Sequence, residues 1–273
     1  TRYAAPLSVE TTALFYNMDM VTEVPDTWEE LVEEASNDGG VQFDATSIYY
    51  DLGFVRACGG YIFNYEDGAY DTTDIGLSND GAIQAYQFID DLCNKYNLIT
   101  ADVTADIARS NFQNGKCAYY IGGPWDIDGF ESAGVSFGIT EMPTFNGENF
   151  VTPVGTQVSF VSNSSEKQDA AWQFIKYLID NGAVDMYEAG DRIPAKLSDQ
   201  NIDAIQNNEY TQAFIAQINN GEPMPTVSEM GQLWTIHTNN IRSMWSGEQT
   251  PEEAAKNMVA QLEEAIKLMD SGK

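Results

Sequence analysis

The ten residues from Cys117 to Asp126 read Cys-Ala-Tyr-Tyr-Ile-Gly-Gly-Pro-Trp-Asp, and the rest of the chain can be interpreted outward from them. The apolar and aromatic run at their start has strand character. Gly122-Gly123-Pro124 ends it, because glycine permits unusual backbone dihedrals and proline cannot extend a sheet ladder. We therefore predict a strand that delivers Trp125 at its carboxyl end, where ligands bind in open α/β sheets. Large apolar side chains are more often core residues, so Trp125 on its own is a candidate contact only.

Composition limits the classes of function. The chain has 273 residues, enough for one large domain or two. Its 42 acidic and 13 basic residues give a net charge of -29, which repels phosphate backbones and excludes nucleic acid as a partner. Cys58, Cys93 and Cys117 have the spacing of neither a redox pair nor a zinc knuckle, so we expect buried free thiols.

Hydrophobic periodicity and capping signals predict few strands and many helices. Strands are predicted at 13–16, 118–121, 135–140 and 154–161, and a hairpin or long loop at 59–74. Helices are predicted after the capping-box residues Thr27, Ser165 and Thr250, and over 47–58, 82–96, 105–114, 199–219 and 230–245. This order indicates an α/β domain with a helical tail packed back onto it.

Motifs for catalysis are weak. His237 is the only histidine and lies on an apolar helical face, which favours a core or cleft-edge position. No nucleophile elbow or phosphate-binding loop is present, so we predict no cofactor and no metal site. A pair of carboxylates could still serve a glycosidase, although no pair stands out. The aromatic residues at predicted element ends, Tyr49, Tyr50, Trp125 and Trp234, together with nearby carboxylates suit a sugar, which has an apolar face and a rim of hydroxyls.

Four blocks of sequence resemble the bacterial maltose/maltodextrin-binding proteins of ABC importers, within extracellular solute-binding protein family 1. They are YNMDMVTEVPDTWEEL (16–31), GGYIFNYEDGAYDTTDIG (59–76), FQNGKCAYYIGGPW (112–125) and EPMPTVSEMGQLW (222–234). The blocks occur in the same order over essentially the whole chain. The resemblance implies a type II periplasmic-binding-protein fold, whose two lobes close on a sugar by hinge motion.

The resemblance also assigns ligand-binding residues. Trp125 and Trp234 match the family's aromatic platforms, and Tyr49 with Tyr50 beside it matches its tyrosine-phenylalanine platform. Glu10 matches a glutamate of the hinge region.

Two positions depart from the family pattern. Ser47 stands where a sugar-contacting glutamate is expected, and Thr238 where an arginine is expected. These departures leave the preferred length of the glucan open.

By the same resemblance, residues 1–12 are a hinge crossing and 13–153 a nearly complete second lobe. Residues 154–208 are the remainder of a truncated first lobe, and 209–273 a helical return to the second lobe. The chain is expected to lack a domain-scale segment of roughly the first hundred residues. We expect the strand at 154–161 to have an unpaired edge, and the apolar residues Phe174, Ile175 and Leu178 of the following helix to be exposed.

We therefore expect the substrate-binding component of a carbohydrate ABC importer, which binds maltose or malto-oligosaccharides between its lobes and delivers them to a membrane permease. Its location would be extracytoplasmic, either periplasmic or tethered to the cell surface by lipid. The alternatives are a glycoside hydrolase acting on α-glucans and a binding protein for a different oligosaccharide. We also expect weaker maltodextrin binding than by a complete family member, because part of the hydroxyl-reading surface is absent.

Overall fold

A computed structural model describes residues 4–37 and 39–271 as a mixed α/β protein, which confirms the predicted class. The strands are β1 (Ala5–Glu10), β2 (Ala13–Asn17), β3 (Val41–Gln42), β4 (Asn64–Glu66), β5 (Ala69–Asp71), β6 (Tyr119–Gly122), β7 (Phe137–Thr140), β8 (Pro153–Ser159), β9 (Ile193–Pro194) and β10 (Glu222–Pro223). The helices are α1 (Trp28–Asn37), α2 (Ile48–Ala57), α3 (Asp80–Asn94), α4 (Ala105–Gln113), α5 (Ile127–Ser132), α6 (Gln168–Asn181), α7 (Ala183–Glu188), α8 (Asp203–Gln206), α9 (Glu209–Asn219), α10 (Met230–Trp245) and α11 (Pro251–Ser271). Two 3-10 turns lie at Pro124–Asp126 and Leu197–Asn201. Residues 1–3 of the predicted hinge crossing, 272–273 of the predicted helical return, and Asp38 lie outside the described residues.

The central sheet has the strand order β3-β6-β2-β7. Strand β2 pairs antiparallel with β6 and β7, and β3 pairs parallel with β6. All four residues of β6 are buried, as expected for a strand covered on both faces. Phe15 on β2 is fully buried, and its ring centroid lies 5.6–6.3 Å from those of five other aromatic rings. Close packing of rings at this sheet therefore supplies much of the core.

A second sheet has the order β10-β8-β1-β9. Strand β1 pairs antiparallel with β8 on one side and with β9 on the other. Along its other edge β8 pairs only with β10, at Pro153 and Val154. The strand predicted at 154–161 is observed as Pro153–Ser159; it pairs with β1 over 155–159, and its other edge is unpaired from 155 onward, as expected.

The carboxyl-terminal helices pack back against α3, as predicted. Tyr86 on α3 donates to Met258 Sδ on α11 at 3.4 Å, and Trp245 Nε1 on α10 donates to the Ile89 carbonyl at 3.1 Å. The predicted capping box forms at Thr250, because Thr250 N–H donates to Glu253 Oε2 and Glu253 N–H donates to Thr250 Oγ1.

Two predictions in the stretch 154–208 are wrong. Helix α6 begins at Gln168 after Lys167, so Ser165 is not its cap; the Ser165 hydroxyl instead accepts from Lys167 N–H. Phe174 is 61% exposed as expected, but Ile175 is only 6% exposed because that face of α6 packs on β1. Ile193 is the one residue of this stretch in the buried core cluster of the described residues.

Among the residues described, none of the helices combines the length and the apolar character needed to span a bilayer.

Candidate functional site

Trp125 projects from a turn that is held by a buried carboxylate. Strand β6 ends at Gly122, and Trp125 in the following 3-10 turn is 38% exposed. The next residue, Asp126, is 1% exposed and accepts hydrogen bonds from Tyr120 Oη at 2.9 Å and Gly123 N at 3.3 Å. Its other oxygen accepts from Arg109 Nε at 2.5 Å. The turn is thus fixed from below while the indole faces outward.

The structure corrects the reason for the two glycines at this turn. Gly123 has φ -122°, and neither Gly122 nor Gly123 has a positive φ, so the backbone is ordinary extended chain. A Cβ on Gly123 would instead lie 2.3 Å from Cη2 of the Trp125 ring, and one on Gly122 would lie 2.4 Å from Asp126 Oδ2. Glycine is needed here because the Trp125 ring and the Asp126 carboxylate approach the backbone too closely for any side chain.

Tyr49 and Tyr50 begin helix α2. The Ser47 hydroxyl caps this helix by accepting from Tyr49 N–H at 3.3 Å, and the two phenol rings meet edge to face with centroids 5.5 Å apart. Both rings are half-buried. Burial and the nearby Asp126 and Asp44 carboxylates raise the pKa of Tyr50 to about 12. Tyr50 therefore lies close to the Trp125 turn and keeps its proton at neutral pH.

Glu10 lies at the end of β1, on the other sheet. Burial and then the charge of Glu10 hold the pKa of Tyr49 well above its ordinary value, so these two side chains are neighbours. Glu10 Oε2 accepts from Gln157 Nε2 at 2.8 Å and from Arg192 at 3.3 Å. Both bonds go to Oε2, which leaves Oε1 without a partner among the described residues and available to a ligand hydroxyl.

Trp234 lies one helical turn before Thr238, the residue of α10 that contacts the start of α2. It lies on α10 and is 38% exposed. Thr238, four residues later on the same face, donates its hydroxyl to the Thr46 carbonyl at 3.0 Å, and His237 Nδ1 lies 3.1 Å from the same oxygen. Trp234 is thus linked to the start of α2, where Tyr49 lies, by the packing of α10. No ring pair of the described residues includes Trp125 or Trp234.

The predicted site residues therefore separate into two groups. In the first group the Tyr49 and Tyr50 rings contact each other, and burial and then the charges of Glu10 and of Asp126 in the Trp125 turn raise their pKa values. In the second, Trp234 is linked to the start of α2 by the contact of Thr238 with Thr46. None of the five predicted residues is fully buried. Half-exposed aromatic faces beside phenol hydroxyls and a carboxylate can stack against and hydrogen-bond a polyhydroxylated ligand.

Sequence reasoning missed the residues that support this surface. Asp126 and Arg109 fix the turn, and Gln157 and Arg192 hold Glu10. The acidic residue directly after Pro-Trp was the one available signal, since an Asp in a first helical turn often accepts backbone N–H groups. Gln157 and Arg192 carry no local signal because their partner is distant in sequence.

The described part of the chain contains no group of three or more His, Cys, Asp and Glu side chains arranged to hold a metal ion. The three cysteines are free thiols, as expected, but only Cys93 and Cys117 are buried and Cys58 is half-buried. Burial raises the pKa of Cys117 to about 12.

Comparisons with known proteins identify the family of this chain. Residues 1–213 match the model of the bacterial extracellular solute-binding protein family. The chain is 32% identical to the galactooligosaccharide-binding protein of Bacillus subtilis, over 99% of this chain and 68% of that protein. It is 28% identical to a maltooligosaccharide ABC transporter solute-binding lipoprotein of Streptococcus pneumoniae, over 97% of this chain and 66% of that protein.

A solved structure also matches this chain over nearly its whole length. A cyclo/maltodextrin-binding protein, solved as a complex with maltotetraose, superposes with a TM-score of 0.90 at 29% identity, over 98% of this chain and 71% of that one. The chain thus has the periplasmic-binding-protein fold and spans about two thirds of the length of the proteins it matches. It belongs to the bacterial extracellular solute-binding protein family, whose members bind substrates for transport and are not enzymes.

Proposed function

We propose that this protein is the substrate-binding component of a carbohydrate ABC importer and that its ligand is a malto-oligosaccharide. Two matched proteins support this ligand by what they bind: the maltooligosaccharide-binding lipoprotein and the protein solved with maltotetraose. The glycoside hydrolase alternative is discarded, because the family binds solutes for transport and is not enzymatic.

One observation carries the proposal: the charge of Glu10, a hydrogen-bonded carboxylate on the second sheet, acts on Tyr49, a half-buried aromatic side chain of the central sheet region. Tyr49 and Trp125 come from elements of the central sheet region, and Glu10 from the second sheet. Sugar rings would stack on Tyr49, Trp125 and Trp234, while Tyr50 and Glu10 would bind hydroxyls. Stacking requires only apolar ring faces, so binding needs no chemical step.

We propose that the two sheets belong to two lobes. The second lobe would comprise 13–153 and 209–273, and the first lobe would include 154–208, with 1–12 as a crossing between them. Three facts support this division: β1 and β2 are consecutive but lie in different sheets, β8 and β9 pair with β1, and 154–208 contributes only Ile193 to the core cluster of the described residues. Lobe closure would then bring Glu10 and the aromatic residues onto opposite sides of the sugar.

The family is extracellular, so the protein acts outside the cytoplasm. The finer location, in a periplasm or tethered to the cell surface by lipid, is part of the proposal, and the pneumococcal lipoprotein supports the tethered form. The partner in either case would be the membrane permease of an ABC importer.

Calorimetric titration with maltotriose, maltotetraose and maltoheptaose tests the ligand. Trp125→Ala and Trp234→Ala should each weaken binding by roughly tenfold or more, because each removes one stacking face. Trp172→Ala is a matched control, since Trp172 is 39% exposed, against 38% for the other two, and lies on α6 away from the proposed surface. Equal losses in all three variants, or no binding of any malto-oligosaccharide, would contradict the proposal.

A galactooligosaccharide is the second candidate ligand, since the relative of Bacillus subtilis that binds one is 32% identical to this chain. Titration with β-1,4-linked galactotriose in parallel with maltotriose distinguishes the two. The ligand that binds more tightly, and whose binding depends on Trp125 and Trp234, identifies the substrate class.

A further inference from the structure

Three fully buried polar atoms between α2 and α10 have no hydrogen-bond partner among the residues that the structure describes. They are both carboxylate oxygens of Asp51 and Nε2 of His237. Both residues are 0% exposed, and Asp51 Oδ2 lies 3.7 Å from His237 Nε2. Unpaired polar groups in a core are costly, so this arrangement needs an explanation.

The contact of Nδ1 with the Thr46 carbonyl fixes the tautomer of His237. Nδ1 lies 3.1 Å from the carbonyl oxygen of Thr46, which can only accept, so Nδ1 carries a proton. In the neutral ring Nε2 then presents a lone pair towards Asp51. An ionised carboxylate also presents only lone pairs, so two acceptors would face each other without water between them.

We propose that Asp51 and His237 share a single proton between Oδ2 and Nε2, with a slight shortening of their 3.7 Å separation to hydrogen-bond length, and that this shared proton makes them a positioning pair that joins α2 to α10 beneath the ligand surface. Asp51 directly follows Tyr50 on α2, and His237 lies three residues after Trp234 on α10. The pair therefore connects the two helices that carry Tyr49 and Trp234. The effect of the pair on ligand affinity rests on the proposed function, whereas the shared proton does not depend on that function.

The surroundings favour a neutral pair. The titratable groups that face it are Asp44, in the loop before α2, and Tyr86 on α3, whose ring centroid is 6.0 Å from that of His237. Neither is a cation. Burial lowers the pKa of His237 to about 4, and burial with the charge of Asp44 holds the pKa of Asp51 well above its ordinary value. The proton therefore belongs on Asp51, with an uncharged imidazole accepting from it.

The signs of these shifts give opposite pH effects. His237 is neutral in the folded state, so stability is lost as pH falls below its ordinary pKa and the unfolded imidazole becomes charged. Asp51 is protonated in the folded state, so stability is lost as pH rises above its ordinary pKa and the unfolded carboxyl ionises. Asp51→Asn removes the second effect, because its amide is a permanent donor in the same place.

The single histidine allows a direct test by ¹⁵N NMR of histidine-labelled protein without ligand. The expected spectrum shows a protonated Nδ1, an unprotonated Nε2, and no titration between pH 5 and 8. A ring that titrates near its ordinary pKa, the opposite tautomer, or an imidazolium at neutral pH would overturn the shared proton.

Calorimetry of variants then tests the positioning role. Asp51→Asn should bind the malto-oligosaccharide within about threefold of the unaltered protein, since it can still donate to Nε2, whereas Asp51→Ala should bind roughly tenfold more weakly. Asp91→Ala, which removes an exposed ion pair with Lys95 on α3, is the control and should change nothing. If Asp51→Ala does not fold, the affinity of Asp51→Asn still tests the positioning role and the NMR spectrum still tests the shared proton. Weakening by Asp51→Asn equal to that by Asp51→Ala would refute the role, whereas absence of binding in the unaltered protein would refute only the proposed function.

Discussion

The region around the central sheet and the stretch 154–208 use aromatic residues in different ways. Phe15 in the central sheet is fully buried among five rings, while Phe174 on α6 is 61% exposed. Trp125 and Trp172 have almost the same exposure, yet Trp125 follows a strand and is held by the buried Asp126, whereas α6 begins without a side-chain cap. Exposure alone therefore does not distinguish the two tryptophans, which differ in how firmly the backbone beneath them is held.

The largest contrast between the two regions should be in stability. Phe15→Ala should cost about 3–5 kcal/mol of unfolding free energy, because it opens a cavity among packed rings. Phe174→Ala should change it by less than about 0.5 kcal/mol, as expected at an exposed position. Urea denaturation of the two variants measures both, and similar midpoints would remove the contrast.

The support of Trp125 should be the next largest effect. Asp126→Ala removes the acceptor of Arg109 Nε, of the Tyr120 hydroxyl and of Gly123 N–H, and should cost about 2 kcal/mol because the Arg109 side chain is 36% exposed and can be rehydrated. Sugar affinity should fall with it, since the Trp125 turn loses its anchor.

Asp106→Ala is the control for that variant, because Asp106 also pairs with Arg109 but its side chain is 91% exposed. It should leave both stability and affinity nearly unchanged. If the two variants behave alike in thermal unfolding and calorimetry, Asp126 does not anchor the turn.

A methyl group added at Gly123 tests how closely the Trp125 ring approaches the backbone. Gly123→Ala should displace the Trp125 ring, lower the unfolding free energy by about 1 kcal/mol and weaken sugar binding several-fold. Gly129→Ala is the control, because Gly129 lies in α5 with nothing within 4 Å of the added carbon, and it should be neutral or stabilising by up to about 1 kcal/mol. Unchanged tryptophan fluorescence and affinity in Gly123→Ala would contradict the close-approach explanation.

The smallest contrast is between two serine or threonine residues that precede helices. Thr250→Ala should cost about 1 kcal/mol, since Thr250 caps α11 reciprocally with Glu253. Ser165→Ala should cost less than about 0.5 kcal/mol, since α6 begins three residues later. Thermal unfolding of both variants checks the order, and the reverse order would show that the caps were wrongly assigned.

Local signals in the sequence predicted most elements of the fold. Thr27 and Thr250 cap helices where their spacing to a glutamate indicates, and Thr27 Oγ1 accepts from Glu30 N–H at 3.2 Å. Ser165 has the same spacing to Gln168 but binds Lys167 N–H instead, because a polar turn before a helix competes with the cap. Backbone signals of this kind identify an element more reliably than its first residue.

The candidate site was only partly predictable. The strand end and the aromatic residue after it could be read from Gly-Gly-Pro-Trp, but the reason for the glycines could not, since it depends on where the Trp125 ring and Asp126 lie. The support of Glu10 joins β1 to residues about 150 and 180 positions away. Contacts between distant residues leave no periodic trace in a sequence, so Gln157, Arg192 and the Asp51–His237 pair needed the structure.

The carbonyl oxygen of Thr46 receives both the His237 ring and the Thr238 hydroxyl. Both lone pairs of this oxygen are engaged, so one atom connects the start of α2 to α10. Sliding one helix along the other would break two hydrogen bonds at once. These two bonds hold the start of α2 against α10. In the proposed site they would therefore fix the distance between Tyr49 and Trp234, and with it the spacing of the sugar rings that could stack on both.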